Sequence, residues 1–347
     1  MMNSKTADWT LADRTREWRK VDRALFHQEI APLNQPAVLR GLVNDWPAVR
    51  AGRESPRELS QYLRTFDTGK PIEAFFGAAE INGRFFYSED LRGFNFEKKK
   101  LPFAGFLDLL LQHLDDDRPP SFYAGAIQVP VHLPAIASEN RHPLLDDSVE
   151  QLVSLWLGNR MRTAAHYDLP QNLACVISGR RRFTLLPITQ LPNLYVGPLD
   201  FTLAGQAISL VDFHQPDVDR FPRFTEAMEH AQIAELGPGD ALYIPSLWWH
   251  HVETLDPFGA MMNFWWRDAP AYMFTPLITL MHSLLSIREL PAREREAWKT
   301  VFDHYIFQTG DDPMEHLPEN ARGIMGEMTP EHVMRLRQHL ARSLVGK

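Results

Sequence analysis

Short apolar runs, separated by turn residues, fill the central part of the chain over residues 150–267. The runs are LVSLWLG, RTAAHYD, NLACVIS, RRFTLLP, DALYIP, HHVETL and AMMNFWW. Each is about as long as a typical β-strand, and Gly, Pro or Asn interrupts the series at close spacing. Many short strands at such spacing predict a β-sandwich or a jelly-roll barrel.

Helical and mixed patterns flank this β core. On its N-terminal side, RTREWRKVDRALFHQEI and LPFAGFLDLLLQHL are typical of helices, while IEAFF, RFFYS and FYAGAI are strand candidates. The pattern becomes helical again after Pro270. We therefore predict a mainly β protein with flanking helices. It has a mixed α/β part over 1–149, a β core over 150–269 and a helical region over 270–347.

The C-terminal region ends in an amphipathic helix. Thr329 can cap this helix, and Pro330 can occupy its first position. Apolar side chains then recur at helical spacing and form one stripe. The stripe consists of Val333, Leu336, Leu340 and Leu344. It predicts either an interface between two copies of the chain or packing against the chain's own barrel.

Charge and cysteine content exclude several classes of protein. The net charge is −8 and the pI about 6.0, which argues against general nucleic-acid binding or binding to anionic membranes, since both need a basic face. Cys175 is the single cysteine, so an intramolecular disulfide or a cysteine-rich metal site is excluded. The sequence shows no secretory signal and no apolar stretch of about 18 residues. We expect a cytoplasmic protein without a membrane span.

Four histidines are followed two positions later by an acidic residue. About two such pairs are expected by chance. A strand has a side-chain period of two and points both partners to one face, whereas in a helix they diverge. Two of the pairs lie in helical patterns and are interpreted as solvated helix surface. The pairs are His27/Glu29, His113/Asp115, His166/Asp168 and His251/Glu253.

His166 and Asp168 lie in RTAAHYDLPQN, directly before a run of strands. Two histidines and one carboxylate form the facial triad that holds non-haem iron(II) and leaves coordination positions open, so a second histidine is required. His250 and His251, in WWHHVE, compete for this role. Alternation favours His250, which shares a strand face with apolar Val252, because the apolar face points inward. A core histidine with a hydrogen-bond partner is the alternative.

Arg181 is the candidate for binding an acidic co-substrate. Iron(II) needs electrons to activate oxygen, and a chelating 2-oxo acid can occupy two coordination sites and supply them. In RRRFTLLP, Arg181 alternates with Phe183 and Leu185 and is predicted to point inward. There the far carboxylate of the 2-oxo acid would offset the cost of burying a guanidinium. The alternative is a solvated hairpin tip.

Five segments, in their order and spacing, resemble the JmjC-type, cupin-like 2-oxoglutarate oxygenases, the group that contains the asparaginyl hydroxylase of hypoxia-inducible factor. The resemblance covers most of the chain. It implies an oxygenase domain over 1–269 whose core is a double-stranded β-helix with iron at one end. The segments are PAVLRGLVNDWPAV, LWLGNRMRTAAHYDLPQNLACVISGRRRFTLLP, SLVDFHQPDVDRFPRF, GPGDALYIPSLWWHHVE and MNFWW.

The resemblance also implies roles for individual residues. The positions that correspond to the iron ligands are His166, Asp168 and His250. Thr163 and Tyr123 correspond to groups near the far carboxylate of 2-oxoglutarate. Arg181 stands where the asparaginyl hydroxylase has a lysine, so the charge is kept while the geometry of its donors differs.

Four further positions complete the predicted site. Asn172 and Asn263 correspond to two asparagines beside the iron and the co-substrate, and Asn263 needs a partner because its neighbours are apolar. Trp265 resembles a wall residue of the active site. We also predict that Trp249 walls the substrate pocket, with core packing as the alternative.

The implied activity is an iron(II)- and 2-oxoglutarate-dependent hydroxylation, in which oxygen is consumed and 2-oxoglutarate is decarboxylated to succinate. A protein or peptide side chain is the expected substrate. The alternatives are a small molecule, a modified RNA base, lysine demethylation, or a cupin that binds metal without catalysis. Related enzymes dimerise through C-terminal helices, so a homodimer is expected through residues 270–347.

Overall fold

The computed structural model describes residues 12–146, 148–307 and 312–345. The chain divides into two compact units, Met1–Asp268 and Ala269–Lys347. Among the described residues, the strands all lie in the first unit, and the second unit is helical. No helix within these ranges is both long enough and apolar enough to cross a membrane.

Fifteen described strands build the first unit, and most of them lie where the short apolar runs predict them. They are β1 (Asp13–Arg14), β2 (Glu17–Arg19), β3 (Ala37–Arg40), β4 (Pro71–Gly77), β5 (Arg84–Phe85), β6 (Phe96–Pro102), β7 (Ser121–Gln128), β8 (Leu152–Gly158), β9 (Arg162–His166), β10 (Gln171–Ser178), β11 (Arg181–Leu186), β12 (Gln232–Leu236), β13 (Ala241–Ile244), β14 (Trp249–Thr254) and β15 (Gly259–Trp266).

Two sheets form the core. One has the strand order β1-β12-β11-β14-β9-β5, and the other has the order β2-β3-β13-β10-β15-β8-β7-β4-β6. Phe183 and Val252 of the six-stranded sheet pack in one buried cluster with Ala174 and Met261 of the nine-stranded sheet. The two sheets therefore face each other. The predicted fold, a mainly β cupin-type barrel with flanking helices, is confirmed.

The period of two along a strand decides which residues face the other sheet. In β15, Met261 faces the six-stranded sheet, while the next residue, Met262, belongs to a separate cluster on the outer side. Helices cover that outer side, since the same cluster contains Leu59 and Phe106 from helical segments. The central strands of the nine-stranded sheet, such as β10 and β15, are consequently buried on both faces, which explains why they are mostly apolar.

The helices of the first unit are short. They are α1 (Arg23–Leu25), α2 (Pro47–Glu54), α3 (Pro56–Arg64), α4 (Phe103–Gln112), α5 (Val129–His132), α6 (Ile136–Glu139) and α7 (Phe224–Glu229). At the start of α3, the hydroxyl of Ser55 accepts a hydrogen bond from the backbone N–H of Glu58, and Pro56 occupies the first position. This is the N-terminal signal expected of a stable helix.

The N-terminal segment differs from its prediction. The helix expected over RTREWRKVDRALFHQEI is replaced at its start by β1 and β2, which pair in parallel with β12 and β3. Helical turns begin only at Arg23, where the Asp22 carboxylate caps the backbone N–H of Leu25. The charged residues of the segment have no strong preference, so hydrogen bonds to two sheet edges decide its conformation.

Among its described residues, the second unit contains three α-helices, α8 (Pro276–Ser286), α9 (Ala292–Phe302) and α10 (Pro330–Val345). The predicted helix at Pro330 is present, and Thr329 accepts a hydrogen bond from the backbone N–H of His332. Among the described residues of this unit, Met314 is the single buried side chain. Most of the apolar side chains on these helices are therefore accessible.

Candidate metal centre

Three metal-ligating side chains meet between the two sheets. His166 is the last residue of β9, Asp168 follows two positions later, and His250 lies in β14. The ligand atoms of the three residues all lie within 4.8 Å of one another. In the part of the chain that the structure describes, no other three His, Cys, Asp or Glu side chains come together in this way. Two nitrogens and one oxygen are the donor set of a facial triad.

Backbone carbonyls orient both imidazole rings. Nδ1 of His166 lies 2.9 Å from the carbonyl oxygen of Ala164, and Nδ1 of His250 lies 3.0 Å from that of Trp248. A carbonyl oxygen only accepts, so Nδ1 carries the proton and donates in each ring. The lone pair is then on Nε2, which is the atom left for a metal ion.

The environment of His250 keeps its ring neutral. Burial lowers the pKa of His250, the neighbouring His166 lowers it further, and the carboxylate of Asp168 opposes both effects. The net shift is downward, so His250 is uncharged at neutral pH. A neutral imidazole is the form that binds a metal ion.

Asp168 is held by its backbone and by an amide. Its carbonyl oxygen accepts a 2.9 Å hydrogen bond from the backbone N–H of Leu247. Nδ2 of Asn172 donates to its Oδ2 over 3.5 Å, and Nδ2 of Asn263 donates to Oδ1 of Asn172 over 3.3 Å. The structure thus places both predicted asparagines next to the triad.

A β-bulge brings Thr163 to the same cavity as His166. These residues are three positions apart, so a regular strand would point them to opposite faces. On the paired strand, however, His250 opposes His166 and Val252 opposes Thr163. Four residues of β9 (163–166) therefore lie opposite three residues of β14 (250–252), and the extra residue returns Thr163 to the cavity side.

Arg181 points into the space between the sheets, 1% exposed. It follows a tight turn at Gly179, whose φ of +70° and close approach to the carbonyl of Phe258 leave no room for a Cβ. Burial lowers the pKa of Arg181 to about 10, and the neighbouring Tyr123 opposes this shift. The guanidinium therefore remains charged at neutral pH.

The guanidinium presents one complete edge without a partner. Neither Nε nor Nη2 of Arg181 has a hydrogen-bond partner among the described residues. These two N–H groups lie side by side and match the two oxygens of a carboxylate. Tyr123 and Thr163 line the same cavity as Arg181, and Tyr123 interacts electrostatically with the guanidinium. A buried cation with free donors fits an anionic ligand, since leaving it unpaired is costly.

The cavity between the sheets is narrow, with a volume of about 40 Å³. It joins the triad to Arg181, so both belong to one site. The predicted site residues that line it are Thr163, His166, Asp168, Asn172, Arg181, Tyr123, His250, Asn263 and Trp265. Sequence reasoning did not single out Trp156, which also lines the cavity. Its alternation with Leu155 and Leu157 in β8 was the available signal.

The prediction for Trp249 is wrong. Trp249 precedes His250 in the strand and so points to the opposite face, where it is fully buried and packs against Tyr167. The alternation of apolar residues predicts that the face of β14 with Trp249 and His251 is exposed to solvent, but in the structure this face is buried. His251 is 4% exposed and stacks on Phe213, because the chain between β11 and β12 covers it. Glu253, on the same face, contacts His214.

A two-layer β core with a two-histidine, one-carboxylate triad between its sheets defines the class of cupin-like metal-binding proteins. A family model described as a cupin-like domain matches residues 23–272, which is most of the chain. The chain belongs to this cupin-like, JmjC-type family. The resemblance seen in the sequence motifs is thereby confirmed.

Individual relatives differ in how much of them is matched. The chain is 27% identical to the lysine-specific demethylase JMJ31 of Arabidopsis thaliana, over 70% of this chain and 48% of that protein. It is 24% identical to tRNA wybutosine-synthesizing protein 5 of Gallus gallus, over 72% and 76%. It is 35% identical to HSPB1-associated protein 1 of Homo sapiens, over 32% and 23%. The chain thus spans about half or less of the demethylase and of HSPB1-associated protein 1, and about three quarters of the wybutosine-synthesizing protein.

Proposed function

We propose that this protein is an iron(II)- and 2-oxoglutarate-dependent oxygenase. The observation that carries the proposal is the combination, in one cavity, of the triad and the unpartnered edge of Arg181. A cupin that only binds a metal ion requires the triad, but it does not require a buried cation beside the triad. A facial triad leaves coordination positions open, and a chelating co-substrate with a distant carboxylate uses both features.

Each group of the site has a part in this proposal. Nε2 of His166, Nε2 of His250 and the carboxylate of Asp168 would hold iron(II). Arg181 would bind the far carboxylate of 2-oxoglutarate through Nε and Nη2, with Tyr123 alongside. When bound, iron(II) and 2-oxoglutarate supply the activation of molecular oxygen. Because the cavity is narrow, an elongated dicarboxylate requires the lining side chains to move apart as it enters.

The residues around the site bind, orient and exclude water. Charge-assisted hydrogen bonds to Arg181 would each contribute roughly 1.5–3 kcal/mol, because the guanidinium is already desolvated. Carbonyl contacts hold the rings of His166 and His250 in the tautomer that binds the metal. The apolar side chains of Phe183, Val252 and Met261 close the cavity beneath the polar groups.

For the substrate, we propose a side chain of a protein or peptide, which is hydroxylated. A second candidate is a modified RNA base. One observation favours it: the matched segment spans 76% of the tRNA wybutosine-synthesizing protein. The net charge of −8 argues against this candidate, because binding to RNA phosphates needs a basic surface. A third candidate is demethylation, because hydroxylation of an N-methyl group leads to its loss. The similar protein of Arabidopsis thaliana is named as a lysine-specific demethylase.

The test of the activity is succinate formation by the purified full chain. Succinate release from 2-oxoglutarate should require added iron(II), and Asp168→Ala should abolish it. Undiminished turnover in Asp168→Ala would contradict the proposal. The substrate is then sought by incubation with peptides, amino acids and RNA. Mass spectrometry would detect the gain of one oxygen, and formaldehyde release would identify demethylation instead.

We propose that the partner of the helical second unit is a second copy of the chain. The apolar residues of α8 to α10 enclose a groove of about 780 Å³, and Leu285, Phe307 and Leu344 are 85%, 67% and 58% exposed. Helices with so little buried surface gain their stability from packing against another surface. An isologous dimer is the commonest way to cover such a surface.

We further propose a reducing compartment, the cytoplasm, as the site of action. The single cysteine, Cys175, is completely buried in β10. Burial raises the pKa of its thiol, so it stays protonated and unreactive. A reducing compartment also keeps iron in its ferrous state, which the proposed activity requires.

A further inference from the structure

We infer that Trp156 is a positioning residue for the metal ligand Asp168 and acts on it through two buried amides. This inference rests on the proposed metal site. Among the described residues, the hydrogen bond and the ring contacts of Trp156 go to Asn263, Tyr123 and Trp265 and not to the triad. Its indole instead begins a row of hydrogen bonds that crosses the nine-stranded sheet and ends on the carboxylate.

The row has three hydrogen bonds. Nε1 of Trp156 donates to Oδ1 of Asn263 over 2.6 Å. Nδ2 of Asn263 donates to Oδ1 of Asn172 over 3.3 Å. Nδ2 of Asn172 donates to Oδ2 of Asp168 over 3.5 Å. Every donor is an N–H group and every acceptor is an oxygen, so the row has one direction, from the indole towards the metal site.

The indole sets this direction because it can only donate. Asn263 must therefore present its oxygen to Trp156, and its NH₂ group is left to face Asn172. Asn172 in turn must present its oxygen, which leaves its NH₂ group for Asp168. If either amide were flipped, two NH₂ groups or two oxygens would face each other. The indole of Trp156 thus ensures that Asn172 turns its NH₂ group, and not its oxygen, towards the carboxylate of Asp168.

Burial makes the row restrictive. Asn172, Asn263 and Asp168 are 5%, 1% and 6% exposed, so an amide that lost its partner would have little access to bulk water. The strands also fix the spacing, since β10 and β8 both pair with β15, the strand that carries Asn263.

Ring contacts hold the indole itself. Trp156 stacks on Tyr123 with centroids 6.0 Å apart and meets Trp265 edge-on at 5.7 Å. Its chain neighbours, Leu155 and Leu157, are buried on the other face of β8. The indole therefore has little freedom to follow Asn263 if the amide moves. Hydrogen bonds to a metal ligand from residues that do not themselves bind the metal orient that ligand. We therefore expect loss of the Trp156 hydrogen bond to weaken metal binding.

The test is metal binding by Trp156→Phe, which keeps an aromatic ring and removes the N–H. Titration calorimetry with Mn(II) on the metal-free full chain should give a dissociation constant about tenfold higher than wild type, the lower end of the effect of losing an outer-shell partner. The absorption spectrum of the Co(II) complex should also change, because it reports ligand geometry. Unchanged affinity and spectrum would overturn the inference.

Trp46→Phe is the matched control. Trp46 is also buried, and its indole N–H also donates one hydrogen bond, to the carbonyl of Arg141 over 2.8 Å. It lies in the cluster on the outer side of the nine-stranded sheet. Trp46→Phe should lower thermal stability and leave Mn(II) affinity unchanged. A general loss of packing would instead affect metal binding equally in both variants and would overturn the inference.

A double-mutant cycle tests the route. In the Asn172→Ala background the row is already broken, so adding Trp156→Phe should produce no further loss of Mn(II) affinity. If the two losses multiply, Trp156 acts by another route and the inference is wrong. Failure of wild type to bind Mn(II) would instead refute the proposed metal site, and the inference with it.

Discussion

Nε2 of His250 lies 3.7 Å from Oδ2 of Asp168, and the two side chains are only 4% and 8% exposed. One belongs to a central strand and the other to the loop that follows β9. The hydrogen bond between the backbone N–H of Leu247 and the carbonyl of Asp168 joins that loop to the segment that leads into β14. This backbone hydrogen bond and the burial of both side chains therefore hold the two ligand atoms close together.

His250→Ala should abolish tight metal binding. The variant removes a direct ligand, so the Mn(II) dissociation constant measured by calorimetry should rise by more than the roughly 100-fold limit seen for outer-shell partners. His251→Ala is the matched control, because this neighbour points to the other face. It should lower thermal stability and keep Mn(II) affinity. If His251→Ala loses Mn(II) affinity and His250→Ala keeps it, His251 is the ligand.

Arg181→Met should weaken co-substrate binding and stabilise the free protein. The KM for 2-oxoglutarate should rise about tenfold to hundredfold for each charge-assisted hydrogen bond lost. Without co-substrate, the free energy of unfolding should increase by about 1–3 kcal/mol, because a buried cation with unpaired N–H groups is removed. Steady-state kinetics and urea unfolding measure the two effects.

Arg181→Lys separates charge from geometry in the same position. The charge is retained, but the two parallel N–H donors are lost. The KM for 2-oxoglutarate should therefore fall between those of wild type and Arg181→Met. If Arg181→Lys has the same KM for 2-oxoglutarate as wild type, the paired N–H donors of the arginine are not required for binding.

Stability of the metal-free protein should fall in mild acid. Burial lowers the pKa of His250 and of His251 below the ordinary 6.5, to about 4 for His251. Between these values the unfolded chain binds protons that the folded chain does not. Stability is therefore fully present above about pH 6.5 and is lost as the pH falls towards 4. The slope should approach about 1.4 kcal/mol per pH unit for each histidine.

Urea unfolding at a series of pH values measures this slope. His251→Phe retains a ring to stack on Phe213 and removes one titrating group. The variant should therefore show a smaller slope over the same pH range. An identical slope would mean that His251 does not contribute, and a flat profile would contradict the burial argument for both histidines.

Leu340→Glu should convert the proposed dimer to a monomer. Leu340 lies on the apolar stripe of α10 and lines the groove of the second unit. A carboxylate there would be buried without a partner in the interface. Light scattering on the full chain reports the mass. Arg335→Glu, on the exposed opposite side of the helix, is the matched control and should remain dimeric; a monomeric wild type would refute the proposal.

The sequence alone determined the parts of the protein that depend on local period. Short runs with period two predicted the β core, and the alternation of His250 with Val252 and of Arg181 with Phe183 predicted which side of each strand faces the cavity. The structure places these residues accordingly. Such predictions succeed because backbone geometry alone makes neighbouring side chains of a strand point to opposite faces.

Tertiary structure decided what lies against each face. The alternation puts Trp249 and His251 on one strand face but could not reveal that an earlier segment of the chain, including Phe213, buries both. A bulge in β9 overrode the period and turned Thr163 into the cavity. The row of hydrogen bonds from Trp156 to Asp168 likewise joins separate strands. These features depend on pairing register and on contacts between residues distant in the chain, which no local pattern records.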